Sequence, residues 1–210
     1  YIYSLVPEFM LRFIAWLLVH SVYRLQQRGL QNIPEEGAAV LVCNHVSFVD
    51  PIVIAAASRR PIRFVMDYRI YRMPVISLIF RHMRAIPIAP ARDDAVMMEA
   101  AFEEVASALA AGELVAIFPE GRITDSGDLY PFRPGVQRIV GRTPVPIIPM
   151  ALQGLWGSFF SRKDGPAMSK PLRRGLFSKI ALVVGTAVAP AAATPEHLQE
   201  IVAGLRGDWK

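Results

Sequence analysis

Asn44-His45-Val46-Ser47-Phe48-Val49-Asp50 is the segment of this sequence best equipped for chemistry. An imidazole titrates near neutral pH, so His45 is a candidate general base. Asp50 lies five residues on and would point well away from His45 along a continuous helix. Where a strand turns into a helix the chain doubles back, so the two side chains can meet. A carboxylate bound to one ring nitrogen fixes the tautomer and stabilises the imidazolium formed on proton abstraction. Asp50 also has a structural reading. Ser47-x-x-Asp50 fits a capping box, and Asp50-Pro51 fits a helix start.

A second segment, Phe118-Pro119-Glu120-Gly121-Arg122, follows another apolar run. Glycine lets backbone approach a ligand closely, and arginine grips phosphate through paired hydrogen bonds. The bland alternative is a Pro-x-Gly turn with an exposed ion pair. Phe132-Arg133-Pro134-Gly135 could bring a further cation to the same mouth. His20, His82 and His197 have no partner at ligand spacing and read as surface histidines. The eight methionines read as core or tunnel filler. Cys43 reads as a small buried hydrophobe.

The surrounding pattern alternates short apolar runs with helical periods. Strands are expected over Ala38–Cys43, Arg63–Met66, Ala85–Ile88, Leu114–Phe118, Val145–Leu152 and Ile180–Val184. Helices are expected after Asp50 to about Ser58, over Tyr71–His82 and over Asp93–Ala111, the last closed by Gly112. Further helices are expected over Val136–Arg142 and over Pro195–Leu205, capped by Thr194. Such alternation predicts an α/β fold: a layered mixed, largely parallel sheet flanked by helices. Both chemical segments then sit where a buried strand ends, the usual place for sites in such folds. Ser158–Phe177 reads as a basic surface excursion.

From Ile2 to about Leu25 the chain is nearly all apolar, with Glu8, Arg12, His20 and Arg24 at multiples of four. The longest run free of polar residues is Phe13 to Val19, well short of the roughly 20 apolar residues that span a bilayer. An amphipathic helix lying in the interface, with Trp16 and Tyr23 as anchors, is the expectation. A core-packing helix is its alternative. The organisation predicted is a membrane-surface helix over residues 1–25 and one catalytic domain over residues 26–210.

The 210 residues suit a single domain. They are 53% hydrophobic, with mean hydropathy +0.33 and net charge +5. Of the 23 basic residues only Lys163, Lys170, Lys179 and Lys210 are lysines. Arginine's planar fork suits phosphate and carboxylate partners. Nucleic acid is a poor candidate partner, since no basic run is interleaved with aromatics and no known binding motif occurs. Anionic lipid headgroups or an acidic carrier fit better. One cysteine rules out an intramolecular disulfide and a cysteine metal cluster. The first residue is Tyr1 rather than methionine, as expected of an excised domain or a processed chain.

Taken together, Asn44-His45-x4-Asp50, Phe118-Pro119-Glu120-Gly121-Arg122, Phe132-Arg133-x-Gly135 and Val145-Pro146-Ile147-Ile148-Pro149 resemble the glycerolipid and lysophospholipid acyltransferases in order and spacing. The stretch Phe118–Leu129 is similar to the acyltransferase portion of bacterial acylglycerophosphoethanolamine acyltransferase fusions. The resemblance implies that His45 takes the proton of a lysophospholipid hydroxyl and that Asp50 orients it. Glu120, Gly121 and Arg122 would position the acceptor phosphate, and backbone N–H groups of that turn would stabilise the oxyanion. The donor would be acyl-CoA or acyl-carrier protein, with no cofactor or metal. Implied partners are membrane lipids and a fused transporter or synthetase domain, at the cytoplasmic face of a bacterial inner membrane. The family's second motif is altered: Arg84-Ala85-Ile86-Pro87-Ile88-Ala89-Pro90-Ala91-Arg92 lacks its glycine and displaces its arginine. That leaves Arg92 as the expected phosphate ligand and Arg84 as a stand-in. Thr124 arrives later than the usual Thr after Gly121. The competing functions are a non-catalytic lipid-binding module attached to a transporter or synthetase, and a serine hydrolase. The latter is disfavoured because no Gly-x-Ser-x-Gly elbow exists.

Overall fold

The structure, a computed structural model, describes residues 2–74, 76–163, 165 and 177–209. Its centre is β2, Ala39–Cys43, which is apolar and buried at every position. Ala39, Leu41 and Cys43 enter one core, while Val40 and Val42 enter the other. Burial on both faces is what a parallel strand between two helical layers requires. Each fully buried Leu or Ile contributes about 1.5–3 kcal/mol.

The other strands are β1 (Tyr23–Arg28), β3 (Ile62–Asp67), β4 (Ile86–Ile88), β5 (Leu114–Ile117), β6 (Ile147–Gln153) and β7 (Ser178–Val184). They form one sheet in the order β1-β7-β6-β2-β5-β3-β4. The five strands from β6 to β4 run parallel; β7 is antiparallel to β6, and β1 is parallel to β7. Helices α1 (Ile2–Val22) and α2 (Asp50–Ala57) supply Val19, Val53 and Ile54 to the first core. On the opposite face α5 (Ala91–Ala110), α6 (Gly135–Arg142) and α7 (Pro195–Arg206) supply Phe102, Ile139 and Leu198 to the second. Two short helices, α3 (Tyr68–Tyr71) and α4 (Ile76–His82), connect β3 to β4. The expected layered, largely parallel α/β architecture is the one observed.

The differences are local. The first helix stops at Val22, and Tyr23–Arg28 becomes an edge strand with Tyr23 buried and Arg24 and Arg28 exposed. A boundary at residue 25 therefore falls inside a strand of the main sheet. The expected helix Tyr71–His82 is interrupted around Met73-Pro74, as the steric conflict between proline and the preceding residue requires. In α5, Asp94 is extended (φ −160°, ψ 95°), and its Oδ1 accepts the Met97 N–H at 2.8 Å. It thus caps the long segment of that helix from a kink. Thr194 caps α7 as expected, its Oγ1 accepting the His197 N–H. Most of the excursion expected over Ser158–Phe177 lies outside the described residues.

β5, β2 and β6 are neighbours, with Val42 opposite Ile117 and Cys43 opposite Met150. The segments that follow these three strands consequently converge at one corner of the sheet.

Candidate functional site

The corner is built on Asn44, which is fully buried. Its side chain donates to the Leu152 carbonyl at 3.1 Å and accepts the Leu152 N–H at 2.8 Å, continuing the β2–β6 ladder by one residue. This pairing, which the motif spacing alone could not reveal, sets where the chain leaves the sheet. His45 follows at once. Its Nδ1 lies 2.9 Å from Asp50 Oδ2. A carboxylate can only accept there, so Nδ1 carries the hydrogen and Nε2 is left as a free lone pair. The imidazole stacks on Phe118, 4.2 Å between centroids and 18° apart, which shields one ring face from water.

Asp50 is fully buried and has four hydrogen bonds. Besides His45, its Oδ2 accepts the Val46 and Ser47 N–H groups at 2.6 and 2.9 Å, and its Oδ1 accepts the Ser47 hydroxyl at 2.7 Å. The two sequence readings therefore coexist. Asp50 makes the return arm of a capping box, Ser47 gives its hydroxyl hydrogen to Asp50 rather than capping α2, and His45 is bound as well. A carboxylate locked by three other donors is a rigid platform for the imidazole.

The loop between β5 and α6 forms the second wall. Glu120 departs from the role expected of it. It is 2% exposed, and its two oxygens accept the backbone N–H groups of His45 (2.7 Å) and Tyr130 (2.8 Å). Both oxygens are occupied, and a carboxylate repels phosphate, so Glu120 is an internal strut rather than a phosphate ligand. Burial raises its pKa, and the two amide hydrogen bonds and His45 oppose that. Thr124, also buried, donates its N–H to the His45 carbonyl at 2.9 Å. Its Oγ1 donates to the Asp128 carbonyl and accepts from Gly127 N–H, holding the loop's tip. Both backbone groups of His45 are thus bonded to this loop.

Gly121 has φ +68°, a conformation open chiefly to glycine. A Cβ there would come within 2.9 Å of the Arg133 guanidinium, so that side chain lies directly on the turn. The Arg133 N–H bonds the Pro119 carbonyl at 3.0 Å, which brings the start of α6 to the motif. Arg122 lays its guanidinium 3.6 Å from the centroid of the Tyr130 ring. Both arginines are exposed, and neither has a carboxylate partner among the described residues. The Gly121 N–H is taken by the Phe118 carbonyl at 3.0 Å and does not serve an oxyanion.

Arg92 and Arg84 are not brought to this corner. Arg92 follows β4, two strands beyond β5, with its side chain 82% exposed and its Nε 3.5 Å from Asp93. Arg84 precedes β4, at the opposite end of the sheet, and pairs with Glu113 at 2.6 Å. The displaced second motif explains both, because its shift moves the arginine past the strand end. His20 and His82 each bond a carbonyl one helical turn back. Cys43 is buried and burial raises its pKa well above the ordinary thiol value, so it stays protonated. No group of three or more potential metal ligands occurs among the described residues.

The profile of the Acyltransferase family matches residues 24–153, well over half the chain and the whole of the corner described above. The chain belongs to the Acyltransferase family. The family segment runs from within β1 to the end of β6 and contains His45, Asp50, Glu120 and Arg133. A chloroplastic 1-acyl-sn-glycerol-3-phosphate acyltransferase of Brassica napus is 28% identical over 148 residues, covering 70% of this chain and 42% of the relative. A 1-acyl-sn-glycerol-3-phosphate acyltransferase of Borreliella burgdorferi is 24% identical over 124 residues, covering 59% of this chain and 49% of the relative. The chain thus spans less than half the length of these curated members. The crystal structure of the 1-acyl-sn-glycerophosphate acyltransferase of Thermotoga maritima superposes with TM-score 0.70 at 20% identity, covering 96% of this chain and 76% of the other. The family fold extends to the segments flanking the matched region.

Proposed function

We propose that the protein is a lysophospholipid O-acyltransferase, moving a fatty acyl group from acyl-CoA or acyl-carrier protein to a free hydroxyl of lysophosphatidic acid or a related lysophospholipid. One observation carries this reading: an imidazole bound through Nδ1 to a buried carboxylate, its backbone bonded to the loop that bears Arg122 and Arg133, neither of which has a carboxylate partner among the described residues. Arg122 and Arg133 hold the acceptor phosphate, and Gly121 keeps the turn low enough for it to approach. Nε2 of His45 removes the acceptor hydroxyl proton as the oxygen attacks the thioester carbonyl carbon. The new C–O bond forms and the C–S bond breaks. The imidazolium, stabilised by Asp50, returns the proton to the departing thiolate. The products are an ester and a free thiol, with no acyl-enzyme and no cofactor.

We infer further that the protein works at a membrane surface, on the cytoplasmic face in a bacterium, with α1 in contact with lipid. No helix among the described residues is long and apolar enough to cross a membrane. The outer side of α1 exposes Phe9, Met10, Phe13, Ile14, Trp16, Leu17 and Leu18, while Arg12 turns inward and donates to the Ser58 carbonyl. Leu78 and Ile79 on α4, which packs against α1, are exposed as well. The sequence carries no Asp or Glu between Glu8 and Glu35, or between Asp67 and Asp93. An apolar face on stretches whose acidic and basic residues are all arginines suits an anionic bilayer.

The test is an assay with purified protein: thiol release from acyl-CoA that depends on added lysophosphatidic acid. Binding of the lysolipid without turnover on any thioester donor would support the lipid-module alternative instead.

A further inference from the structure

The segment that follows β6 forms a third wall of the same corner. Its first part packs Trp156 against Gly127, where a Cβ would lie 2.8 Å from the indole. Its last part is knotted by Ser161, which is 1% exposed. The Ser161 hydroxyl accepts the Gly157 N–H at 3.0 Å and donates to the Ser158 carbonyl at 2.9 Å. Ser161 also pairs with Ser47 in an isolated antiparallel bridge, and the Phe48 N–H donates to the Phe160 carbonyl at 3.2 Å. The knot therefore delivers Arg162 to the turn that carries His45. Arg162 is exposed, with its guanidinium carbon 5.9 Å from the Phe48 ring centroid. It has no carboxylate partner among the described residues.

Strand order decides where this cation stands. β2 lies between β5 and β6, so Arg122 and Arg133 belong to the segment after one neighbour of β2 and Arg162 to the segment after the other. A lysophosphatidic acid brings one phosphomonoester, of roughly two negative charges at neutral pH, and two guanidiniums around Gly121 suffice for it. A third arginine, on the segment after β6, has no further acceptor charge to meet. The thioester donor has such a charge: its thiol is carried on phosphopantetheine, whose phosphate stays anionic at every working pH. An arginine resting on an aromatic ring is oriented while its N–H fork stays free for phosphate.

We propose that Arg162 is a donor-side anion site, binding a phosphate of the phosphopantetheine arm while the thioester carbon lies over His45 Nε2. The proposal rests on the acyl-transfer reading for its substrate and on the Ser47–Ser161 bridge for its geometry.

Two donors with the same acyl chain separate the possibilities, acyl-CoA and acyl-pantetheine, which lacks phosphate. Arg162→Ala is expected to raise KM for acyl-CoA about tenfold, the size of one charged hydrogen-bonded contact. Acyl-pantetheine kinetics and the KM for lysophosphatidic acid should stay unchanged. An equal loss with both donors, unchanged acyl-CoA kinetics, or a rise confined to the acceptor KM would overturn the assignment. Calorimetric titration with CoA alone gives a readout independent of turnover. Weaker CoA binding by Arg162→Ala than by wild type supports the site, even in a protein that transfers no acyl group; equal or absent binding by both refutes it.

Discussion

Glu120 and His45 are joined by a hydrogen bond between side chain and backbone: the buried Glu120 Oε1 accepts the His45 backbone N–H at 2.7 Å. The acidic residue of the Phe118–Arg122 segment is therefore part of the scaffold of the His45 segment. Its other oxygen holds Tyr130, whose ring supports Arg122. One carboxylate thus ties the backbone of the base to that of the residue on whose ring Arg122 lies.

Replacing Glu120 by Gln keeps the shape but puts an NH2 group against one of two N–H donors. A stability loss of about 1–3 kcal/mol is expected from the unpaired buried donor, read by denaturant titration. The pH dependence has a definite sign. Burial raises the Glu120 pKa, so between its unfolded value, about 4.3, and its raised folded value the native state binds more protons than the unfolded state. Glu120's contribution to stability is complete below that window and is lost as pH rises through the folded pKa. Glu120→Gln should flatten this segment of the stability profile; an unaltered slope would contradict the assignment.

His45→Ala should lower kcat by about 10²–10⁴-fold with little change in either KM, as the loss of a general base predicts. Retention of full thiol release by that variant would refute the role.

Asp50→Asn is a separate case, because the carboxylate also holds Val46 and Ser47. An amide nitrogen in the Oδ2 position would face three donors, and in the Oδ1 position would lose the imidazolium's counter-charge. Expected are a fall in kcat of the same order as for His45→Ala and a lowered melting temperature. Ordinary kcat with lowered stability would leave Asp50 with only its capping role.

Gly121→Ala introduces a Cβ at φ +68° and against Arg133. The guanidinium is the flexible partner and moves aside, while the left-handed backbone costs roughly 1–2 kcal/mol. The kinetic signature is a raised acceptor KM with donor KM unchanged, measured with lysophosphatidic acid against a neutral lysolipid.

Substituting Phe13, Trp16 and Leu17 together by Ser removes apolar surface already exposed in the folded protein. Sedimentation with anionic vesicles should fall sharply while the melting temperature holds, and turnover of a soluble short-chain acceptor should be retained. Undiminished vesicle binding would reassign α1 to packing.

Much of this was legible in the residues themselves. A strand such as Ala39–Cys43 has no polar position, so it can only be buried on both faces, and Thr194-Pro195 contains its own helix start. The order of His45, Asp50, Gly121, Arg122 and Arg133 is likewise a property of the chain. Elsewhere local signals gave way to partners far along it. Tyr23–Arg28 continues an apolar helix in sequence, yet pairs with Ser178–Val184 because the sheet offers it an edge.

The site divides in the same manner. Residue type and spacing determined that an imidazole, a carboxylate and arginines lie at strand ends. Only the tertiary structure decided that Glu120 turns inward, that Arg92 stays two strands away, and that Arg162 meets the turn at Ser47 and Phe48. Those outcomes depend on strand order and on which buried donors need an acceptor. Both are set by packing the whole sheet, and neither is written in any short stretch of sequence.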